Sequence, residues 1–241
     1  ITYMGWMFQN CSSLTSLDLS SFDTSKVTTM NSMFNGCSSL TSLDLSSFDT
    51  SLVTDMNSMF SGCSSLTSLD LSGFNTSSLT NIQMMFNGCS ALTSLDFTKW
   101  DMSKITAFGK FCTNCSSLES IIGLNLSSYS EFSGHEGTFL SFRGCSSLKT
   151  IKDIDVSFTV RMGTRYPNSV KDIFWTETAW KWFSGLNNLE NITFKGQTGL
   201  WDTMGSYLML SNCDTSKFTL ETWEAFASVF PETSTNKSIR M

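Results

Sequence analysis

The cysteines in the first half of this 241-residue chain recur at a fixed interval of 26 residues. Five of them keep this spacing, namely Cys11, Cys37, Cys63, Cys89 and Cys115. Residues 11–36 read CSSLTSLDLSSFDTSKVTTMNSMFNG, and residues 37–62, 63–88 and 89–114 repeat this segment without a gap. A single short unit cannot bury its own apolar face, so such a chain folds by stacking each unit on its neighbours. The period therefore predicts one solenoid.

The first part of each unit has the pattern of a short strand. Leu14, Leu17 and Leu19 follow the L-x-x-L-x-L spacing of leucine-rich repeats, with Asp18 between the last two. Because side chains alternate along a strand, we expect the leucines to face the interior and the aspartate to face solvent.

The second part of each unit predicts a turn and then a helical segment. Asp23 and Ser25 can close a turn through side-chain hydrogen bonds, and Asn75 fits the same place in the third copy. Thr28 is a candidate helix cap. The apolar residues that follow it have helical spacing, at Met30, Met33, Phe34 and Cys37.

These elements predict an α/β fold, a right-handed leucine-rich-repeat solenoid of about eight coils, each with a short parallel β-strand and a short helical segment. The later strands follow the pattern more loosely, and we expect the eight strands to be centred on Asp18, Asp44, Asp70, Asp96, Asn125, Asp155, Thr193 and Met209. Residues 219–230 (TLETWEAFASVF) predict a C-terminal helical cap, which begins at Thr219 and places on one face Leu220, Trp223, Phe226, Ala227 and Phe230.

We expect a single continuous domain in three parts. Regular repeats occupy residues 1–121, and degenerate repeats occupy 122–212 with an aromatic insertion at about 158–201. Residues 213–241 form the cap. Because residues 1–8 align with the middle of a unit, the first coil is incomplete, and we expect the sequence to be part of a longer polypeptide.

Composition excludes several classes of function. A net charge of −6 gives no basic face for a phosphate backbone, so we expect no nucleic-acid partner. No apolar run approaches the roughly 20 residues of a membrane span, so we expect no membrane insertion by this segment. The chain has one histidine, His135, and offers no activated nucleophile. We therefore expect no enzymatic activity, no cofactor and no metal site.

The column of cysteines predicts buried free thiols. Stacked strands lie about 4.8 Å apart, which exceeds the Cβ separation of about 3.8 Å that a disulfide prefers. Cys112 and Cys115 form a C-x-x-C pair, but Cys112 stands where Phe34 stands in the repeat. We interpret it as a core substitution rather than a metal ligand.

The segment CSSLTSLDLSSFDTSKVTTMNSMFNG resembles the repeat of the BspA-like leucine-rich surface proteins, also described as the DUF285 or Mycoplasma-lipoprotein-type surface repeat. The resemblance covers residues 1–121 strongly and 122–212 in degraded form. It implies a protein displayed outside the cell, on a cell surface or on a virion, that adheres to host or neighbouring surface proteins or to glycans. It carries no catalytic motif. A structural spacer or appendage module of a larger bacterial surface or phage assembly is the alternative.

Two groups of residues are candidates for a ligand-binding site. The first is a column of carboxylates on the solvent face of the sheet, expected at Asp18, Asp44, Asp70, Asp96 and Asp155. Such a column suits a basic or hydroxyl-rich partner, and the alternative is a solvated face whose charges discourage aggregation. The second group belongs to the aromatic insertion, since aromatic side chains on long loops often anchor partners, and consists of Tyr166, Trp175, Trp180 and Trp201. The alternative for these side chains is packing inside a coil.

Overall fold

The computed structural model describes residues 1–125, 142–155, 186, 188–195 and 215–229. Within them lies one parallel sheet with the strand order β1-β2-β3-β4. The strands are β1 (Ser94–Asp96), β2 (Ser120–Ile122), β3 (Thr150–Asp155) and β4 (Asn191–Lys195). A single 3-10 turn (Thr215–Lys217) precedes the helix α1 (Leu220–Val229). The described part of the chain is therefore an α/β structure built on a parallel sheet.

The regular units stack in register through a ladder of backbone hydrogen bonds. The N–H groups of Met30, Ser32, Phe34 and Gly36 donate to carbonyls of the next unit at 2.7–3.0 Å. Parallel bridges at one position continue this alignment through five units, at Tyr3, Thr29, Asp55, Asn81 and Ala107. The bridge from Tyr3 to Thr29 confirms the predicted alignment of residues 1–8 with residues 27–34.

The predicted helical segment was wrong for the regular units, because residues 31–36 form successive turns. Every second N–H group in this segment donates to a carbonyl of the next unit. The N–H groups between them donate to the carbonyl three residues earlier, as Met33 N–H does to Met30 O at 3.3 Å. A helix needs all of these donors for its own i−4 carbonyls. Ser32 at φ 54° and Gly36 at φ 75° also depart from helical geometry. The apolar side chains are nevertheless buried as predicted.

The predicted strands are only partly present. No regular strand lies within residues 1–93, where the leucine segments approach each other through long hydrogen bonds such as Thr67 N–H to Thr41 O at 3.5 Å. β1 and β4 contain the expected centres Asp96 and Thr193. The centre predicted at Asn125 was wrong, because the register pairs Ser94 with Ser120 and places β2 earlier in the chain.

In the core, the side chain at a given place in one unit stacks on the side chain at the same place in the next unit. The rings of Phe34, Phe60 and Phe86 lie 5.8 Å apart and within 11° of parallel. Cys112 occupies the next place in this column, and there Phe111 packs edge-on against Phe86 at 5.3 Å. The repeat therefore buries apolar surface by repeating one side-chain layer, with a break at the fourth unit.

Helix α1 covers the edge of β4, and Thr222 joins the two elements. Its buried hydroxyl donates to the carbonyl of Glu190 at 2.7 Å and accepts from the N–H of Ile192 at 3.2 Å. These are the bonds that a further strand would make. As predicted, Thr219 caps the helix through the N–H of Thr222 at 3.2 Å. Leu220 was predicted to lie on the apolar face of the helix. This prediction was wrong, because Leu220 is the first residue of α1 and is 74% exposed.

Candidate functional site: a row of aspartates on the stacked units

Four aspartates occupy the same place in successive units and form what we call the aspartate row: Asp18, Asp44, Asp70 and Asp96. All four side chains are exposed. Each Oδ1 accepts a hydrogen bond from the N–H two residues further on, at 2.8–2.9 Å, so each carboxylate closes a turn of its own chain. The row is therefore held in place by local bonds.

These hydrogen bonds keep the row ionised. The pKa of Asp44 lies below its usual value because the N–H and the hydroxyl of Ser46 bond to its carboxylate. The hydroxyl and the N–H of Ser20 lower the pKa of Asp18 in the same way. Asp18 in turn raises the pKa of Asp44 through charge repulsion, which acts against the hydrogen bonds. Neighbouring units thus present carboxylates close enough to repel one another.

The structure excludes Asp155 from this row. The strand register aligns Asp96 with Ile122 in β2 and Ile122 with Lys152 in β3. Asp155 lies three residues after Lys152 and pairs with Lys195 of β4. Asp155 is out of register with Asp96 because β3 aligns with β1 at Lys152, three residues earlier, and ligand binding by Asp155 stays a prediction. The row ends at Asp96.

A second acidic row, which the sequence analysis treated only as a turn, lies one corner further along each unit, at Asp23, Asp49 and Asp101. Each carboxylate accepts from the serine N–H two residues on, at 2.9–3.0 Å. Asn75 makes the same bond at 3.1 Å, which confirms the predicted turn and the role of asparagine in it. The shared 26-residue spacing is the signal that could have identified this row.

The candidates of the aromatic insertion, Tyr166, Trp175, Trp180 and Trp201, lie outside the described residues and stay predictions. Among the described residues the exposed large aromatic side chains are Tyr3 and Trp6, whose ring centroids are 5.6 Å apart. The repeat pattern did not predict that these two side chains are exposed.

The thiols of the cysteine column are buried donors. Cys63, Cys89 and Cys115 each donate to the carbonyl of the phenylalanine 29 residues earlier in the chain, at 3.0–3.1 Å. Burial raises the pKa of Cys37 to about 11 and that of Cys63 to about 12. The prediction of free thiols is confirmed for the seven cysteines in the described residues, although Cys11 is exposed.

The described residues hold no group of three histidine, cysteine, aspartate or glutamate side chains placed to bind a metal ion. No helix in this part of the chain is long and apolar enough to cross a membrane.

Comparison with known families gives one match. A family model described as "Mycoplasma protein of unknown function, DUF285" matches residues 2–124, slightly more than half of the 241 residues. The match spans the regular units and the whole aspartate row. Among curated proteins, none matches the sequence.

Proposed function

Since the chain belongs to the DUF285 family, we propose that it is an extracellular, surface-displayed module that recognises host proteins or glycans without catalysis. The proposal rests in part on the repeat CSSLTSLDLSSFDTSKVTTMNSMFNG, which resembles that of the BspA-like leucine-rich surface proteins. The module continues the stack of described units as a right-handed solenoid of about eight coils. The in-register ladder over residues 3–107 and the parallel sheet support this architecture.

The observation that carries the proposal is the aspartate row. Stacked units repeat at about 4.8 Å, so the row offers ionised carboxylates at a fixed spacing. Their turns already order the side chains, and binding therefore costs little conformational entropy. Fixed negative charges of this kind suit a partner that presents cationic groups, or hydroxyl groups that donate to carboxylates.

The test removes charge while keeping the turn. In the double variant Asp44→Asn with Asp70→Asn, each amide oxygen can still accept the N–H bond, as Asn75 does in the second row. The matched control is Asp23→Asn with Asp49→Asn, which makes the same change in the second row. Binding is measured to immobilised extracellular-matrix proteins, mucins and a glycan panel at physiological salt.

We expect saturable binding by the native chain and the control, and binding weaker by about tenfold in the Asp44/Asp70 variant, through loss of two charges. Raising the salt concentration should weaken native binding and leave the variant less affected. Equal binding by the native chain and the Asp44/Asp70 variant would exclude the aspartate row as the site.

A spacer module is the second candidate, and one observation favours it. Every carboxylate of the aspartate row closes a turn, which gives these residues a structural role that needs no ligand. A spacer predicts no saturable binding by any of the three proteins. The charges then serve as a solvated face that limits lateral association.

A further inference from the structure

Residues 3–11 form an open edge of the stack, which we call the first edge. In each of the four units from residue 11 to residue 114, carbonyls at four alternate places accept N–H groups from the preceding segment, as Thr29 O does from Met4 N–H at 3.0 Å. The carbonyls at these places in the first edge accept no backbone hydrogen bond from any described residue, and they belong to Tyr3, Gly5, Met7 and Gln9. The first edge therefore offers four acceptors at a spacing of two residues.

The apolar side chains of the first edge are exposed or half-buried, although the same places are buried in the later units. Met7 is 40% exposed, whereas Met33 and Met59 are fully buried. The ring of Phe8 is half-buried and stacks on Phe34, with the two centroids 5.6 Å apart and the planes within 6° of parallel. Phe8 therefore begins the phenylalanine column.

Cys11 belongs to the same surface. The thiol of Cys37 donates to the carbonyl of Phe8 at 3.1 Å, and the thiol of Cys63 donates to that of Phe34 at the same distance. Cys11 holds the same place in its unit, but it is exposed. A segment that covered the first edge with the backbone of residues 27–36 would place a phenylalanine carbonyl against the Cys11 thiol.

The open groups select the chemistry of the occupant. Four acceptors at alternate residues need a segment that donates N–H groups at alternate residues, as residues 30, 32, 34 and 36 do toward the next unit. Two copies of the first edge placed face to face would bring carbonyl groups against carbonyl groups, which leaves both sets without donors. A phenylalanine on the occupant would continue the column, as Phe34 does on Phe60.

We propose that the first edge is a docking surface for a chain that carries this repeat, and that it binds the turn segment VTTMNSMFNG of residues 27–36, parallel and in register. The bound segment donates four N–H groups to the open carbonyls and stacks its phenylalanine on Phe8. Docking thus continues the interface that already joins the units, whose bridges are all parallel. The proposal does not depend on the ligand of the aspartate row.

The test presents this segment on a tether, which gives it a high effective concentration at the first edge. A copy of residues 27–52 is fused ahead of Ile1 in the full chain, so that the copied VTTMNSMFNG lies 26 residues before residues 1–10, the spacing of the repeat. The control fusion scrambles these ten residues and keeps the other sixteen.

The measurement is the rate at which iodoacetamide alkylates Cys11 in the folded protein, followed by mass spectrometry in the native chain and in both fusions. Cys63 and Cys89 are fully buried, and their protection shows that the stack is folded in each protein.

We expect Cys11 to react more slowly by about tenfold in the repeat fusion than in the native chain, because a buried thiol reacts only after local opening. The cysteine copied from Cys37 then becomes the exposed member of the column, and it should react as fast as Cys11 does in the native chain. In the scrambled fusion, Cys11 should react at the rate of the native chain.

Equal alkylation of Cys11 in the native chain and the repeat fusion would overturn the proposal, and so would equal protection of Cys11 in the two fusions. Slow alkylation of Cys11 in the native chain, together with a dimeric mass in solution, would assign the first edge to a second copy of this chain and would also overturn the proposal.

Discussion

At the scale of the residue, the aspartates and asparagines of the repeat act as turn-closing acceptors. The sequence predicted this role for Asp23 and Asn75, since aspartate and asparagine bond the backbone two residues on. It did not predict the same role for Asp18, which the alternation of a strand places simply in solvent. Alternation specifies which face a side chain takes, but not whether its carboxylate bonds locally.

Thr76 gives a prediction at this scale. Thr24 and Thr50 donate their hydroxyls to carbonyls of the next unit at 3.1 and 3.0 Å. Thr76 holds the same place and is 2% exposed, but among the described residues its hydroxyl has no hydrogen-bond partner. We expect Thr76→Val to raise the free energy of unfolding by about 0.5–1 kcal/mol, because valine has the same shape without an unsatisfied hydroxyl.

The matched control is Thr50→Val, which removes a hydroxyl that is bonded. It should lower the free energy of unfolding by about 1 kcal/mol. Urea unfolding of the two variants and the native chain measures both changes. Destabilisation of equal size in the two variants would show that the Thr76 hydroxyl has a partner in solution.

At the scale of the element, the main difference between prediction and structure concerns the segment after Thr28. Met30, Met33 and Phe34 have helical spacing, yet the segment is a run of turns with all three side chains buried. The spacing predicts which residues face inward. It does not specify where backbone N–H groups donate, and here half of them bond the next unit. Hydrogen bonds to the next unit compete with the local bonds of a helix, and the segment therefore forms turns.

The contact of helix α1 with β4 depends on Thr222, which gives a prediction for the stability of this element. Thr222→Val leaves the carbonyl of Glu190 and the N–H of Ile192 without the hydroxyl that joins them to the helix. We expect the free energy of unfolding to fall by about 2 kcal/mol, because buried backbone groups lose a partner.

Hydrogen exchange should localise this effect, with faster exchange of the β4 amides in Thr222→Val. Leu220→Ala is the control, since Leu220 belongs to the same helix but is largely exposed. It should change stability by no more than about 0.5 kcal/mol. Unaltered β4 exchange in Thr222→Val would show that the helix does not protect this edge.

At the scale of the whole molecule, the 26-residue period specified most of the architecture over residues 1–114. It predicted the in-register stack, the buried thiols and four members of the aspartate row. It misplaced Asp155, because the unit between β2 and β3 is longer than 26 residues and the register aligns Lys152, not Asp155, with Asp96. Regularity is informative only while each unit has the length of the one before it.

We infer that the 26-residue unit is the unit of folding, stacked so that it aligns the aspartate row. Thermal unfolding of two deletion variants tests this inference. Removal of residues 63–88 takes out one whole unit and joins two complete ones, whereas removal of residues 76–88 destroys the register. We expect the first variant to unfold cooperatively with a Tm within about 10 °C of the native chain, since each unit contacts only its neighbours. The second should show no cooperative transition. Similar transitions in both deletion variants, or loss of folding in both, would show that the 26-residue unit is not the unit of folding.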